Sequence, residues 1–354
     1  MRAATAHRLA REGTALLWQG DYPGARRLLT AMGRRVDARP QRPGRSLAET
    51  FHLHRRARAH RAQVLDRLLI ELTDDHTVSL RRAPDVRAAC HAAYGPPTGP
   101  ARVPLRELLG VIGAHQWLLK GVEVPALGAR VHPHYGVFAP TRGEYVGLVA
   151  RAPLPAGIRQ NPAGAVAFDL GTGTGVLAAV LARRGVGRIV GTDANPRALV
   201  CARDNAHRLG LDRRIEVTDP CLFPPGRADL VVCNPPWLPA RPTSALELGV
   251  YDEDSAMLRE FLRGLVAALR PGGEGWLVLS DLAEHLGLRT RDELPDLIER
   301  AGLRVVGRTG TGASHRRSRD VSDPLHAARA AETTHLWRLS PAPRVERQPL
   351  HGPE

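Results

Sequence analysis

Asn234-Pro235-Pro236-Trp237 follows directly on the apolar run Asp229-Leu-Val-Val-Cys233. An amide or exocyclic amino nitrogen is a poor nucleophile because its lone pair is delocalised. The side-chain oxygen of Asn234 and the carbonyl of Pro235 could accept both N–H hydrogens of such a group, favouring a pyramidal nitrogen with a localised pair. Proline fixes φ and so helps hold those carbonyls in position. Trp237 offers a flat face for stacking, worth roughly 1–3 kcal/mol for a base. The four residues therefore suit alkylation of a nitrogen, through placement and preset acceptors rather than a metal or a strong base.

Earlier in the chain, Asp169-Leu-Gly171-Thr172-Gly173-Thr-Gly175 supplies a loop suited to a nucleoside cofactor. Its glycines let the backbone turn sharply and approach a ligand, and the helix that follows presents its positive N-terminus. A dinucleotide fingerprint requires a third glycine where this chain has Val176. Asp193, at the next strand end, can accept hydrogen bonds from ribose hydroxyls; its structural alternative is a cap for the helix beginning at Asn195-Pro196. Asp219 is placed to accept from an adenine amino group, with backbone near Cys221 and Leu222 lining the ring, or else is a turn aspartate.

These residues need a sheet to position them. From about Ala165, strands alternate with helices, the pattern of a doubly wound α/β sheet. Strands are expected at 166–169, 188–193, 214–218, 230–233, 274–280, 303–307 and 334–339, seven in all with an antiparallel final strand. Helices are expected at 175–184, 196–209, 254–269 and 294–301. The first 125 residues read as helical, with apolar positions three and four apart over 5–20, 21–36, 46–72 and 105–118. Residues 41–45 and 95–100 break the pattern as loops, and 341–354 reads as a disordered tail. The expected organisation is a helical accessory, substrate-recognition domain over 1–130 and a cofactor-binding domain over 131–340.

With these motifs in place, the chain resembles the class I S-adenosylmethionine-dependent methyltransferases over roughly residues 131 to 340. Within that class, Asn234-Pro-Pro-Trp237 is similar to the motif of the HemK-like and small-domain N-methyltransferases. The resemblance implies S-adenosyl-L-methionine as cofactor on a Rossmann-like sheet. It further implies that Asp169, Gly171, Thr172, Gly173 and Gly175 meet the methionine part, Asp193 with Ala194 the ribose, and Asp219 with Cys221 the adenine. Asn234 would serve both cofactor and acceptor. The segment Pro133-His-Tyr-Gly-Val-Phe-Ala-Pro-Thr-Arg142 resembles one that packs over the cofactor, with Phe138, Pro140 and Thr141 as contacts; the Pro-Arg-Pro stretch usual there is absent, and Trp237 replaces the usual tyrosine.

Composition bounds the partners. The net charge is +14, and Lys120 is the only lysine among 50 basic residues. Residues 1–150 carry 23 basic and 12 acidic side chains against 27 and 24 in the remainder, so a positive field that could attract a polyanion belongs to the N-terminal part. The expected acceptor is accordingly a macromolecule, either a nucleic-acid base or a protein glutamine. A small-molecule amine methyltransferase, a nicotinamide-dependent oxidoreductase on the same sheet and a non-catalytic binding module are the alternatives. No apolar run approaches the roughly 20 residues that cross a bilayer, and a cytoplasmic protein without a membrane partner is expected. Cys90, Cys201, Cys221 and Cys233 lack CxxC spacing and read as reduced thiols, and no metal site is legible. Glu247 and Tyr251-Asp-Glu-Asp254 are candidate acceptor contacts, with Asp254 alternatively a helix cap. His132 and His134 read as packing residues.

Overall fold

The computed structural model describes residues 1–38, 44–243, 245–314 and 316–343; the tail beyond 343, most of the expected 41–45 break and His315 lie outside them. The N-terminal part holds helices α1 (Ala3–Arg11), α2 (Tyr22–Asp37), α3 (Leu47–Leu65), α4 (Arg87–Tyr94) and α5 (Leu105–Lys120). It also holds a three-stranded sheet of β1 (Leu16–Leu17), β2 (Leu68–Leu72) and β3 (Ala101–Pro104), and a hairpin of β4 (Val122–Val124) and β5 (Ala129–Val131).

That small sheet corrects two helices expected from sequence. Helix α1 ends at Arg11 rather than near Gly20, and α3 ends at Leu65 rather than Leu72. The leucines at 65, 68, 69 and 72 fit a helical stripe, but from Leu68 onward alternate residues point inward, and Ile70 favours a strand. What decides is partnership: β2 pairs parallel with Leu16–Leu17 and antiparallel with β3. A separate core gathers Ala6, Leu28, Met32, Leu65, Leu68, Ile70, Leu105 and Leu108.

The remaining strands, β6 (Val166–Leu170), β7 (Arg188–Thr192), β8 (Ile215–Val217), β9 (Ala228–Cys233), β10 (Leu269–Ser280), β11 (Leu303–Gly312) and β12 (Thr333–Pro341), form one seven-stranded sheet in the order β11-β12-β10-β9-β6-β7-β8. As expected, β12 runs antiparallel to both neighbours. The central strands β6 and β9 are mainly apolar, each with one aspartate (Asp169 and Asp229), because both faces are covered. On one face Ala167, Leu230 and Val232 meet α6 (Gly143–Arg151), α7 (Ala156–Gln160) and α8 (Val176–Arg183); the β4–β5 hairpin adds Val124 and Val131 to this layer. On the other, Phe168, Val231 and Cys233 meet α10 (Ala256–Ala268) and α12 (Glu293–Arg300). Helix α9 (Pro196–Arg208) starts on Pro196 behind the Asn195 cap, which accepts from the Arg197 N–H. Short helices α11 (Leu282–His285) and α13 (His326–Ala331) join a fourth cluster with Leu238 and, from α3, Phe51.

One buried side chain fastens these layers around the cofactor loop. Asn205 on α9 accepts from the His132 N–H at 2.7 Å, and its amide nitrogen lies within 3.1 Å of the carbonyls of His132, Thr174 and Cys201. Replacing it orphans a buried donor and several acceptors. Asn205→Ala should therefore destabilise the protein by about 2–4 kcal/mol. Urea titration checks this, and an unchanged midpoint would show the bonds to be dispensable.

Candidate active site

Chain order makes a crevice. From β6 the chain moves outward to β7 and β8, then returns to the other side of β6 as β9. In open α/β sheets the carboxyl ends of strands at such a reversal are where ligands bind. Leu170 and Cys233 are direct partners across β6 and β9, so Gly171 and Asn234, the next residue of each strand, leave the sheet side by side.

The three loop glycines all have left-handed backbone, with φ of 70°, 56° and 79° at Gly171, Gly173 and Gly175, a region costly for other residues. Their surroundings differ. A Cβ at Gly175 would press on the Ala202 backbone at 3.3 Å, and one at Gly171 would meet the flexible Met257 methyl. At Gly173 only the Gly171 carbonyl lies as near as 4.0 Å, so this is the glycine whose open side faces space a ligand could fill.

Two carboxylates hold the loop. Asp169 is buried beneath it, accepting from the Thr172 hydroxyl at 2.7 Å and the Ala178 N–H at 3.0 Å. Thr172 is buried as well and donates its N–H to the Thr192 carbonyl. Asp193 accepts from the Gly173 N–H at 2.9 Å and the Asn195 N–H at 2.8 Å. The helix cap is thus Asn195, and Asp193 braces the loop. Burial raises both carboxyls above the ordinary range, Asp169 to about 6. Neither Asp169 nor Asp193 was expected to brace the loop, since residue type does not say which nearby N–H and hydroxyl groups the fold turns toward a carboxylate.

Around this centre, Ala194 and Asp219 are exposed and Cys221 half-buried. The Thr192 hydroxyl donates to the Leu222 carbonyl, tying the Asp219–Leu222 turn to the end of β7. In the segment before the sheet, Pro140 is buried, Thr141 exposed, and Phe138 packs on Gly249. Asn195 secures that segment by donating to the Gly136 carbonyl. His132 and His134 have the packing roles expected: the His132 ring meets the Leu118 carbonyl, and His134 pairs with Asp204 at 3.1 Å.

On the acceptor side, the indole N–H of Trp237 donates to Asn234 Oδ1 at 2.8 Å. An indole nitrogen can only donate, so this bond sets which way the amide faces. Arg142 lies over the Trp237 ring at 4.6 Å and pairs with Glu144 and the buried Glu332, which also accepts from the Ser280 hydroxyl. One face of Trp237 is therefore already occupied. The loop after the tetrad is tied back through Leu238, whose carbonyl accepts from the Asp252 N–H. Asp252, not Asp254, receives the first N–H groups of α10, from Met257 and Leu258. Asp254 and Ser255 have φ of 55° and 53°, strain of order 1–3 kcal/mol each. Helix α3 also reaches this loop: Arg55 pairs with Glu247 at 3.2 Å, donates to the Arg241 carbonyl and lies 3.9 Å from the Tyr251 ring centre, while Phe51 flanks the same ring. Two cavities elsewhere, about 500 Å³ beside Asp281 and Trp337 and about 580 Å³ beside Arg58 and Arg61, are lined by none of the expected site residues.

Residues 130–291 match the family model of the methyltransferase small domain. A release factor glutamine methyltransferase of Cereibacter sphaeroides is 36% identical over 155 residues, covering 38% of this chain and 56% of that protein. A second, from Mycobacterium tuberculosis, is 34% identical over 164 residues, 44% of this chain and 48% of that protein. A ribosomal protein L11 methyltransferase of Pelotomaculum thermopropionicum is 46% identical over 76 residues, 21% of this chain and 24% of that protein. The chain spans about half the length of the release factor enzymes it matches. A solved methyltransferase of Geobacter sulfurreducens in complex with S-adenosyl-L-homocysteine shares 16% identity at a TM-score of 0.36, over 58% of this chain and 92% of that one; so loose a superposition supports nothing further.

The Asp169 carboxyl gives the bare protein a pH signature. Its folded value of about 6 lies above the ordinary 3.8, so the stability it contributes is full below about pH 4 and is lost as pH rises through 6. Asp169→Asn keeps an oxygen for Thr172 and Ala178 but cannot ionise. Relative to wild type it should gain up to roughly 3 kcal/mol between pH 4 and pH 7. Urea melts at the two pH values read the difference; a flat result would show Asp169 to be solvated.

Proposed function

We propose, from the match of residues 130–291 to the family model of the methyltransferase small domain, that this protein transfers a methyl group from S-adenosyl-L-methionine to an amino or amide nitrogen of a macromolecule. The observation that carries this is the pairing of Leu170 with Cys233, which sets the glycine loop and the Asn-Pro-Pro-Trp corner side by side at the reversal of the sheet. The crevice fits the cofactor: Gly173 leaves open the space a Cβ would fill, and the helix behind it offers its N-terminus. When bound, the sulfonium supplies an activated methyl and a neutral leaving group. Gly171 and Gly173 line the methionine side, Asp193 keeps lone pairs for ribose hydroxyls, and the exposed Asp219 accepts from the adenine amino group. Phe138, Pro140 and Thr141 close over that side.

The chain's own part in the chemistry is to hold the acceptor nitrogen. Asn234 Oδ1 and the Pro235 carbonyl accept its two hydrogens, and Pro236 stiffens the corner. Trp237 fixes the orientation of Asn234 by its N–H bond, and the part of it that reaches solvent is left to the acceptor. The matches to enzymes named for release factor glutamine and ribosomal protein L11 favour a protein acceptor. A nucleic-acid base is the second reading, favoured by the basic N-terminal part, which would serve substrate recognition over residues 1 to about 130. A small-molecule amine suits that additional part less well, and Val176 in place of a third glycine argues against a nicotinamide. Among the described residues no helix is long and apolar enough to cross a membrane.

Labelled methyl transfer into extracts of cells lacking the protein, separated into protein and RNA, tests both activity and acceptor class. Asn234→Ala should lower transfer at least about 100-fold with cofactor binding intact, while Gly173→Arg should abolish cofactor binding; full-rate transfer by Asn234→Ala would refute the acceptor assignment. Trp237→Phe keeps the ring and loses the N–H. It should lower kcat about tenfold with cofactor Kd unchanged, and an unchanged kcat would remove Trp237 from any orienting role.

A further inference from the structure

We propose that the groove between α1, α2 and α3 binds the phosphodiester backbone of a nucleic-acid strand. The groove measures about 580 Å³ and carries Arg11 from α1, Arg35 from α2, and Arg58, His60 and Arg61 from α3, with Pro324 of the C-terminal part on its rim. Asp37 is the one acid in its lining, and it is already taken by Arg61 through contacts of 2.8 and 3.2 Å. Among the described residues Arg11, Arg35 and Arg58 are exposed and carry no ion pair.

The ordinary explanations cover only part of this. Arg11 and Arg35 lie in the last turns of α1 and α2, where the helix dipole favours cations. Arg58 and Arg61 lie inside α3, away from its last turn, where that effect does not reach. An arginine-rich composition supplies many exposed guanidiniums, but not three unpaired ones converging from three helices on one concavity that holds a single, neutralised acid. Guanidinium forks match phosphate oxygens two at a time. A concavity of this volume holds a stretch of one strand, not a duplex.

Position gives the groove a use. Helix α3 presents Phe51 and Arg55 to the loop behind the Asn-Pro-Pro-Trp corner and, at the next turns, Arg58 and Arg61 to the groove. A strand seated there lies along the helix that holds the acceptor loop, so an acceptor borne on or beside that strand is delivered to the crevice. Binding in the groove needs neither cofactor nor transfer, and it therefore stands or falls separately from the methyltransferase reading.

The test is fluorescence anisotropy of the full chain with a labelled 15-nucleotide RNA, the same sequence as DNA, and a polyglutamate peptide of equal charge, at several salt concentrations without cofactor. Contact of three free guanidiniums with single-stranded phosphates predicts a slope of log affinity on log salt near −2, at about −0.7 per phosphate. Arg35→Glu with Arg58→Glu should weaken RNA binding at least tenfold and flatten that slope, leaving cofactor binding unchanged and lowering the thermal midpoint only by the small amount that a reversed charge at the end of α2 brings. Equal loss on the DNA assigns the backbone alone, and a loss on RNA only adds recognition of the sugar; both uphold the site. Polyglutamate binding as tightly as RNA, or the double variant binding RNA like wild type, overturns it. Arg58→Gln, which removes one charge without adding another, should give an intermediate loss and guards against misfolding of the double variant.

Discussion

Parallel strands cannot be joined by tight turns, and here that constraint makes the active crevice. The steps from β6 to β7 and from β7 to β8 each consume a crossover helix, α8 and α9, so β6 and β9 are far apart in the chain even though Leu170 and Cys233 are register partners on adjacent strands. The reversal from β8 back to β9 leaves two strand ends with no crossover lying over them. Whatever residues follow those ends lie side by side at the carboxyl edge of the sheet. In this chain they are a glycine turn and an asparagine, and the proposed chemistry rests on that adjacency.

An open crevice must also be stiff, and the structure achieves this with groups whose sequence neighbours give no hint of it. Asp169 and Asp193 are pushed into burial, with the unfavourable desolvation that raises both carboxyls. In exchange they gather the Thr172 hydroxyl and the N–H groups of Gly173, Ala178 and Asn195. A left-handed loop cannot satisfy these donors within itself, and water could reach them only if the crevice loosened. Asn205 performs the same service from behind. The cofactor side is thus held before any ligand arrives, which is what placement-driven catalysis requires.

How much of this was legible in the sequence follows from the range of each interaction. Strands β6 and β9 could be read because burial on both faces leaves short, mainly apolar runs, and the glycine loop because only glycine suits its backbone. Leu68–Leu72 was misread as helix because leucines spaced three and four apart satisfy two periods, and the choice fell to partners at Leu16 and Ala101 that no local window contains. Asp252 displaced Asp254 as the α10 cap because the chain enters that helix through two strained residues. The Arg142 stack on Trp237, the reach of Arg55 to Glu247 and the Asn205 knot join residues distant in sequence. Residue type announces none of them.

The aromatic residue of the tetrad shows how a single substitution in a motif redistributes its work. A tyrosine hydroxyl can donate or accept, so beside Asn234 it would be compatible with either face of the amide. The Trp237 indole can only donate, and its 2.8 Å bond leaves one orientation. Arg142, itself held by Glu144 and the buried Glu332, then caps one side of the ring. The ring also packs against the buried clusters on both faces of the sheet. The corner is thereby held in one arrangement, and because the β9–α10 loop beside it is held by Arg55 and Phe51 of α3, the N-terminal part helps position it as well.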